Sequence, residues 1–240
     1  MKTCLLTTIL FTAVWVSPVA AVVIYDIEAD WSDTNNPNGV WSFNQGTTPL
    51  SRVSNWALDS FTPAQGGWGT GSASLPFIFQ STSTANFPHD WLANDIIVHT
   101  LTVAGAPFNL TWTSPAATTI DITSGVWEAR DIGRSNQWSL FLNNTLLSQG
   151  TVASGDPYSA AAPFDLATGT GGAAALDDVA VSSGDVIKLQ LARTSTNGDY
   201  VGVNFTVTAI VPEPSTAALL LCGAAAFLRR RSLRTNERNA

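Results

Sequence analysis

Cysteine is missing wherever it would matter to a folded domain. Of 240 residues only Cys4 and Cys222 are cysteines, and each lies in an apolar run near one end of the chain. Residues 22–210 therefore hold no disulfide scaffold, no cysteine-ligated metal and no cysteine nucleophile. Lysine is almost as scarce, with only Lys2 and Lys188. Residues 22–211 carry five basic side chains (Arg52, Arg130, Arg134, Lys188, Arg193) against sixteen acidic ones, a net charge of −11. The whole-chain value of −7 hides this, because five arginines follow Leu228. A domain this acidic has no electrostatic footprint for nucleic acid, and it attracts divalent cations.

The signatures of catalysis are also few. There are two histidines, His89 and His99, and no Gly-x-Ser-x-Gly elbow or His-rich metal motif. His99 falls in phase with Ile97 and Leu101, which reads as a structural, partly buried histidine. A glycosidase pair of carboxylates cannot be singled out among sixteen by linear position. The expectation is a non-enzymatic protein with no cofactor, and a secreted hydrolase is the weakest alternative.

Helical periodicity is absent from residues 22–210, while Thr, Ser, Gly, Asn, Val and Trp abound. Short alternating runs are separated by turn clusters, the pattern of an all-β chain. Val22–Ala29, Ile96–Val103, Asn109–Thr113, Thr118–Ile122, Asn136–Asn143, Val186–Arg193 and Val201–Ile210 each read as strands. Asn143-Asn144 predicts a tight hairpin into Thr145. Residues 47–73 read as a long loop with short strands, pinned by Trp56, Phe61 and Trp68. Roughly ten strands at this spacing predict an antiparallel β-sandwich, with a jelly roll as the favoured arrangement.

The ends read differently. Residues 1–21 have a short positive start, an apolar stretch and the small residues Val19-Ala20-Ala21, as in a signal peptide removed by signal peptidase. The last part of the chain runs Pro212-Glu213-Pro214, then an apolar segment from Ala217 to Leu228, then Arg229, Arg230 and Arg231. From Ser215 the apolar run is 14 residues, short for an ordinary span of about 20. The arginines favour a cytoplasmic C-terminal side. A plain C-terminal anchor packed through its small residues stays open on this pattern alone. The expected division is signal peptide 1–21, β-sandwich 22–210, sorting segment 211–234 and polar tail 235–240.

The order of motif, apolar helix and basic cluster resembles the PEP-CTERM sorting signal of Gram-negative bacteria. That resemblance implies Sec export, transient anchoring in the inner membrane, cleavage near Pro-Glu-Pro by an exosortase, and delivery to the cell surface or matrix in association with exopolysaccharide. A second resemblance covers Asn36-Pro37-Asn38-Gly39-Val40-Trp41-Ser42-Phe43, which is similar to a segment of many exported proteins with this tail, with Phe43 at a Tyr position. Those bodies are similar to carbohydrate-binding or galactose-binding-like jelly rolls, for which no catalytic residues carry over.

Two ligand expectations follow from residue type. Tryptophan is plentiful, eight of nine lying in residues 22–211, and flat aromatic faces stack on sugar rings. The loop-placed Trp31, Trp41, Trp68 and Trp91 are the candidates, whereas Trp112 and Trp138 sit in strand phase and read as core. Asp177 and Asp178 are weak candidates for calcium, as is the series Asp26, Glu28, Asp30, Asp33, although no defined calcium-loop spacing is present.

Overall fold

The computed structural model describes residues 20–56, 65–101 and 105–212. The expected signal and sorting helices, and Phe61, lie outside the described residues. The chain divides into a compact unit, Val22–Ile210, and a grouping of the two terminal segments. Among the described residues, no helix is long and apolar enough to cross a membrane.

Among the same residues there are fifteen strands and two single-turn 3-10 helices. The strands are β1 (Ala20–Asp26), β2 (Trp41–Gln45), β3 (Thr48–Pro49), β4 (Ser51–Trp56), β5 (Gln65–Gly69), β6 (Phe77–Gln80), β7 (Ile96–His99) and β8 (Phe108–Thr113). They continue with β9 (Thr118–Glu128), β10 (Ser135–Leu142), β11 (Thr145–Ala153), β12 (Phe164–Asp165), β13 (Val179–Val181), β14 (Val186–Arg193) and β15 (Tyr200–Pro212). The expected loop at 47–73 contributes β3, β4 and β5. The expected strand at Thr118–Ile122 continues to Glu128.

Two antiparallel sheets result. The smaller has six strands in the order β11-β10-β14-β8-β2-β3. The larger has nine, with a path β12-β9-β15-β7-β6-β5-β4 and with β1 and β13 added to β15 and β9. β10 and β11 join through Asn143-Asn144, with Leu142 opposite Thr145 and Asn143 at φ 54°, as the sequence predicts for a two-residue turn.

The main core lies between the sheets. In the smaller sheet Phe43, Leu110, Leu189 and Leu140 form one row across four strands, by register, and all are buried. The larger sheet presents Val207, Phe205, Val203 and Val201 opposite Ile122, Ser124, Val126 and Glu128. Trp41 meets Phe205 edge-on at 5.9 Å, which ties one sheet to the other.

A second core covers the reverse face of the larger sheet. Phe79, Ile97, Gly202 and Trp127 lie in register across β6, β7, β15 and β9. Phe77, His99 and Tyr200 form the next row. Trp56 stacks on Phe77 at 4.3 Å, and Trp91 packs against Phe79 and Tyr200. The loops carrying Trp91 and Tyr158 close over this cluster. β6 and β7 are buried on both faces, which the phase of Ile97 and His99 does not by itself indicate.

Gly202 is required by this second core. A Cβ there would stand 2.0 Å from the Trp127 ring, which lies flat over the glycine. Gly202→Ala is expected to destabilise the domain by about 3 kcal/mol through overpacking, lowering Tm by roughly 6–12 °C. A thermal melt unchanged from wild type would contradict this packing.

Candidate functional site

The segment Asn36–Phe43 is a clamp. Asn36 Nδ2 donates to the carbonyls of Phe43 (2.8 Å) and Leu50 (2.9 Å), and its Oδ1 accepts from the Phe43 N–H at 2.9 Å. Asn38 Nδ2 donates to Asp30 O at 2.9 Å. These amides do what a backbone ladder does elsewhere, so the segment is accounted for by structure alone.

The tryptophan candidates need correction. Trp41, Trp68 and Trp91 are 1%, 4% and 1% exposed, and none offers a face to a sugar. Trp41 Nε1 donates to Asp30 Oδ2 and Trp68 Nε1 to Ser32 O, both at 2.9 Å, so their polar edges are bound inside the domain. Trp41 and Trp68 lie on strands β2 and β5, not on loops, and the loop carrying Trp91 folds over the larger sheet, so all three rings are buried. Trp31 is half-buried and stacks on Phe43 at 5.1 Å.

The acidic candidates are likewise engaged or dispersed. Asp26 Oδ1 accepts from the N–H groups of Glu28 and Ala29, and its Oδ2 accepts from Thr206 Oγ1. Asp177 and Asp178 are both exposed, and the Asp178 N–H donates to Asp121 Oδ1 at 2.8 Å. Among the described residues no group of three or more His, Cys, Asp or Glu side chains converges to hold a metal ion.

The richest chemistry lies at one end of the sandwich. A cleft of about 290 Å³ opens there between residues 86–90 and 153–158, with Glu128 in its wall. Glu128 ends β9 on the inward face, opposite Val201, and is 8% exposed. Its carboxyl oxygens accept from Asn136 Nδ2 at 3.0 and 3.3 Å. Asn136 Oδ1 accepts from Thr100 Oγ1 (2.7 Å), which itself accepts from the Asp199 N–H (3.1 Å). Asp199 is fully buried, and Arg134 Nη1 stands 3.9 Å from its Oδ1.

Burial pushes the Glu128 carboxyl up to about 8. The Asn136 amide pulls the other way, Asp199 adds repulsion and Arg134 adds attraction. At neutral pH the group is mostly a neutral acid. It therefore offers the cleft a hydrogen-bond donor as well as an acceptor. Phe87, 81% exposed, and the half-buried Tyr158 supply aromatic surface beside it.

The histidines belong to the second core. His99 is buried and donates through Nδ1 to Thr100 O at 2.7 Å, as its strand phase predicts. His89, in a loop by sequence, is 4% exposed and packs against Trp91 at 4.6 Å.

Sequence reasoning passed over Glu128, Asn136, Thr100 and Asp199. The signal for two of them was present. Glu128 has the parity of Ile120 and Ile122, and Asn136 that of Trp138 and Leu140, so both are polar residues in core phase.

No family model, curated protein or solved structure matches this chain.

Proposed function

We propose that this is an exported, non-enzymatic protein of the bacterial cell surface or extracellular matrix. It carries a jelly-roll-like β-sandwich and a PEP-CTERM tail that an exosortase removes, and it works in association with exopolysaccharide. The observation that supports this reading is positional. The compact unit closes at Ile210 and its last strand runs to Pro212, the first residue of Pro212-Glu213-Pro214. A protease cutting there would release the domain with its strands intact.

Intact-mass measurement of the protein recovered from the cell surface checks this. The expected product begins at Val22 and ends near Pro214. In cells lacking exosortase the chain is expected to end at Ala240 and to stay with the membrane fraction. Surface material ending at Ala240 in wild-type cells would overturn the reading.

A second reading, a carbohydrate-binding domain acting on the exopolysaccharide, has one specific observation in its favour. None of the six strands of the smaller sheet contains an acidic residue. In a domain with net charge −11 this leaves a sheet free of carboxylates.

A further inference from the structure

The outer face of the smaller sheet is lined mainly by uncharged polar side chains in register, with Lys188 and Phe141 among them. Asn44, Asn109, Gln190, Ser139 and Gln149 stand opposite one another across five successive strands. Ser42, Thr111, Lys188 and Phe141 form the adjacent row on the same face. Inward neighbours such as Leu110, Leu189 and Leu140 are buried, and on the outer face Asn44, Asn109 and Ser139 are themselves buried, so Thr111, Thr113, Lys188 and Gln190 present the accessible polar groups.

The face is ordered before any ligand arrives. Gln190 Nε2 donates to Asn109 Oδ1 at 3.1 Å, and Asn109 Nδ2 donates to Gly46 O at 2.6 Å. Thr111 Oγ1 donates to Ser42 O at 3.2 Å. Lys188 lies over the Phe141 ring at 4.5 Å, which holds its stem down along the sheet. Asn109 is buried, whereas Gln190 and Thr111 are half-buried and Thr113 is exposed, so the accessible hydrogen-bonding capacity of the face lies with these three.

A groove of about 430 Å³ follows β8 and β14 across this face. It is bounded at one end by Gly46, Thr47 and Pro107 and reaches Thr113 and Val186 at the other. From Asn109 to Thr113 the strand advances about 13 Å, the length of a short oligosaccharide.

We infer that this groove is a docking site for an uncharged, hydroxyl-rich glycan chain lying along β8 and β14. Hydroxyls both donate and accept, as do the amides and hydroxyls of the face. The strands of the sheet carry no carboxylate to orient a cation, and among the described residues Lys188 is the only charge lining the groove. A uronate-rich chain would meet that single cation against the strongly negative remainder of the domain. The site replaces the buried tryptophans as the sugar-binding surface. It rests on the carbohydrate-binding reading and adds to it the place and the ligand class.

The test is a glycan array probed with the full chain in mild detergent. The array carries neutral glucans, mannans and xylans beside uronate-rich and amino-sugar chains. The expected result is binding to neutral chains only. A Gln190→Ala, Thr113→Ala double variant is expected to lose at least about tenfold in affinity, with Tm lowered by no more than about 6 °C, since Thr113 is exposed and half-buried Gln190 gives up one hydrogen bond, to Asn109. Phe87→Ala, at the end cleft, is expected to bind normally. Neutral-glycan binding that survives the double variant but fails in Phe87→Ala would overturn this site while leaving the carbohydrate reading intact. Preference for uronate-rich or amino-sugar chains would overturn the ligand class. A dimer in solution that the double variant dissociates would assign the face to a second copy. Absence of binding to every glycan would overturn both the site and the reading beneath it.

Discussion

Trp91→Ala is expected to destabilise the domain by about 3–5 kcal/mol, a fall in Tm of roughly 6–20 °C. The ring is 1% exposed and is held between Phe79 at 6.0 Å, Tyr200 at 5.5 Å and His89 at 4.6 Å. Its backbone pairs with Ala85 in both directions, so the loop cannot slide inward to fill the space the indole leaves. The lost contacts and the residual cavity therefore add. Trp31→Ala is the natural comparison. That ring is only half-buried, and its removal is expected to cost less than about 2 kcal/mol. Urea or thermal unfolding followed by circular dichroism measures both. Equal, small effects would mean that the second core contributes little, whereas a large effect at Trp91 with a small one at Trp31 separates packing from surface stacking.

Glu128→Gln is expected to change how stability depends on pH. The folded-state value near 8 lies above the ordinary glutamate value of 4.5. The native protein thus holds a proton through a range where the unfolded chain has released it. The stabilising contribution is complete below about 4.5 and is lost progressively as pH rises towards 8. Above 8 the folded state carries a buried carboxylate at a cost on the order of 5 kcal/mol relative to acid conditions. Glutamine keeps the shape and an acceptor for Asn136 Nδ2, but it cannot ionise. Melts between pH 5 and 9 are expected to fall steeply for wild type and to be flatter for Glu128→Gln. The variant should be the more stable protein at pH 9, by roughly 5–15 °C in Tm. Parallel profiles would mean that Glu128 is ionised throughout, stabilised by Arg134 more than burial opposes it.

Much of the β architecture was legible along the chain. Val186–Arg193 alternates because one face is core and the other is the amide face. The Asn143-Asn144 hairpin was legible because a two-residue turn needs residues that tolerate positive φ. Phe77–Gln80 and Ile96–His99 were legible as strands, the second from the phase of Ile97 and His99, but the burial of both their faces was not, because nothing local says that a loop will fold over a second face. The same gap misplaced the tryptophans. A loop reading suggested exposure for Trp41, Trp68 and Trp91, yet Trp41 and Trp68 stand on strands β2 and β5, and the loop carrying Trp91 returns to the larger sheet. Glu128 and Asn136 sit in core phase, but their meeting depends on β9 and β10 facing each other across the sandwich.

Composition and periodicity by themselves determined an all-β, cysteine-free, strongly acidic domain, because each follows from residue type and local spacing. The tail's motif, apolar run and arginines can be read without any fold, since they are linear features of the sequence. Only the tertiary structure decided that a second aromatic core covers the larger sheet, that an asparagine relay reaches a buried acid, and that the carboxylates avoid the smaller sheet altogether. Burial and register are properties of chains brought together from distant positions, and no window along the sequence contains them.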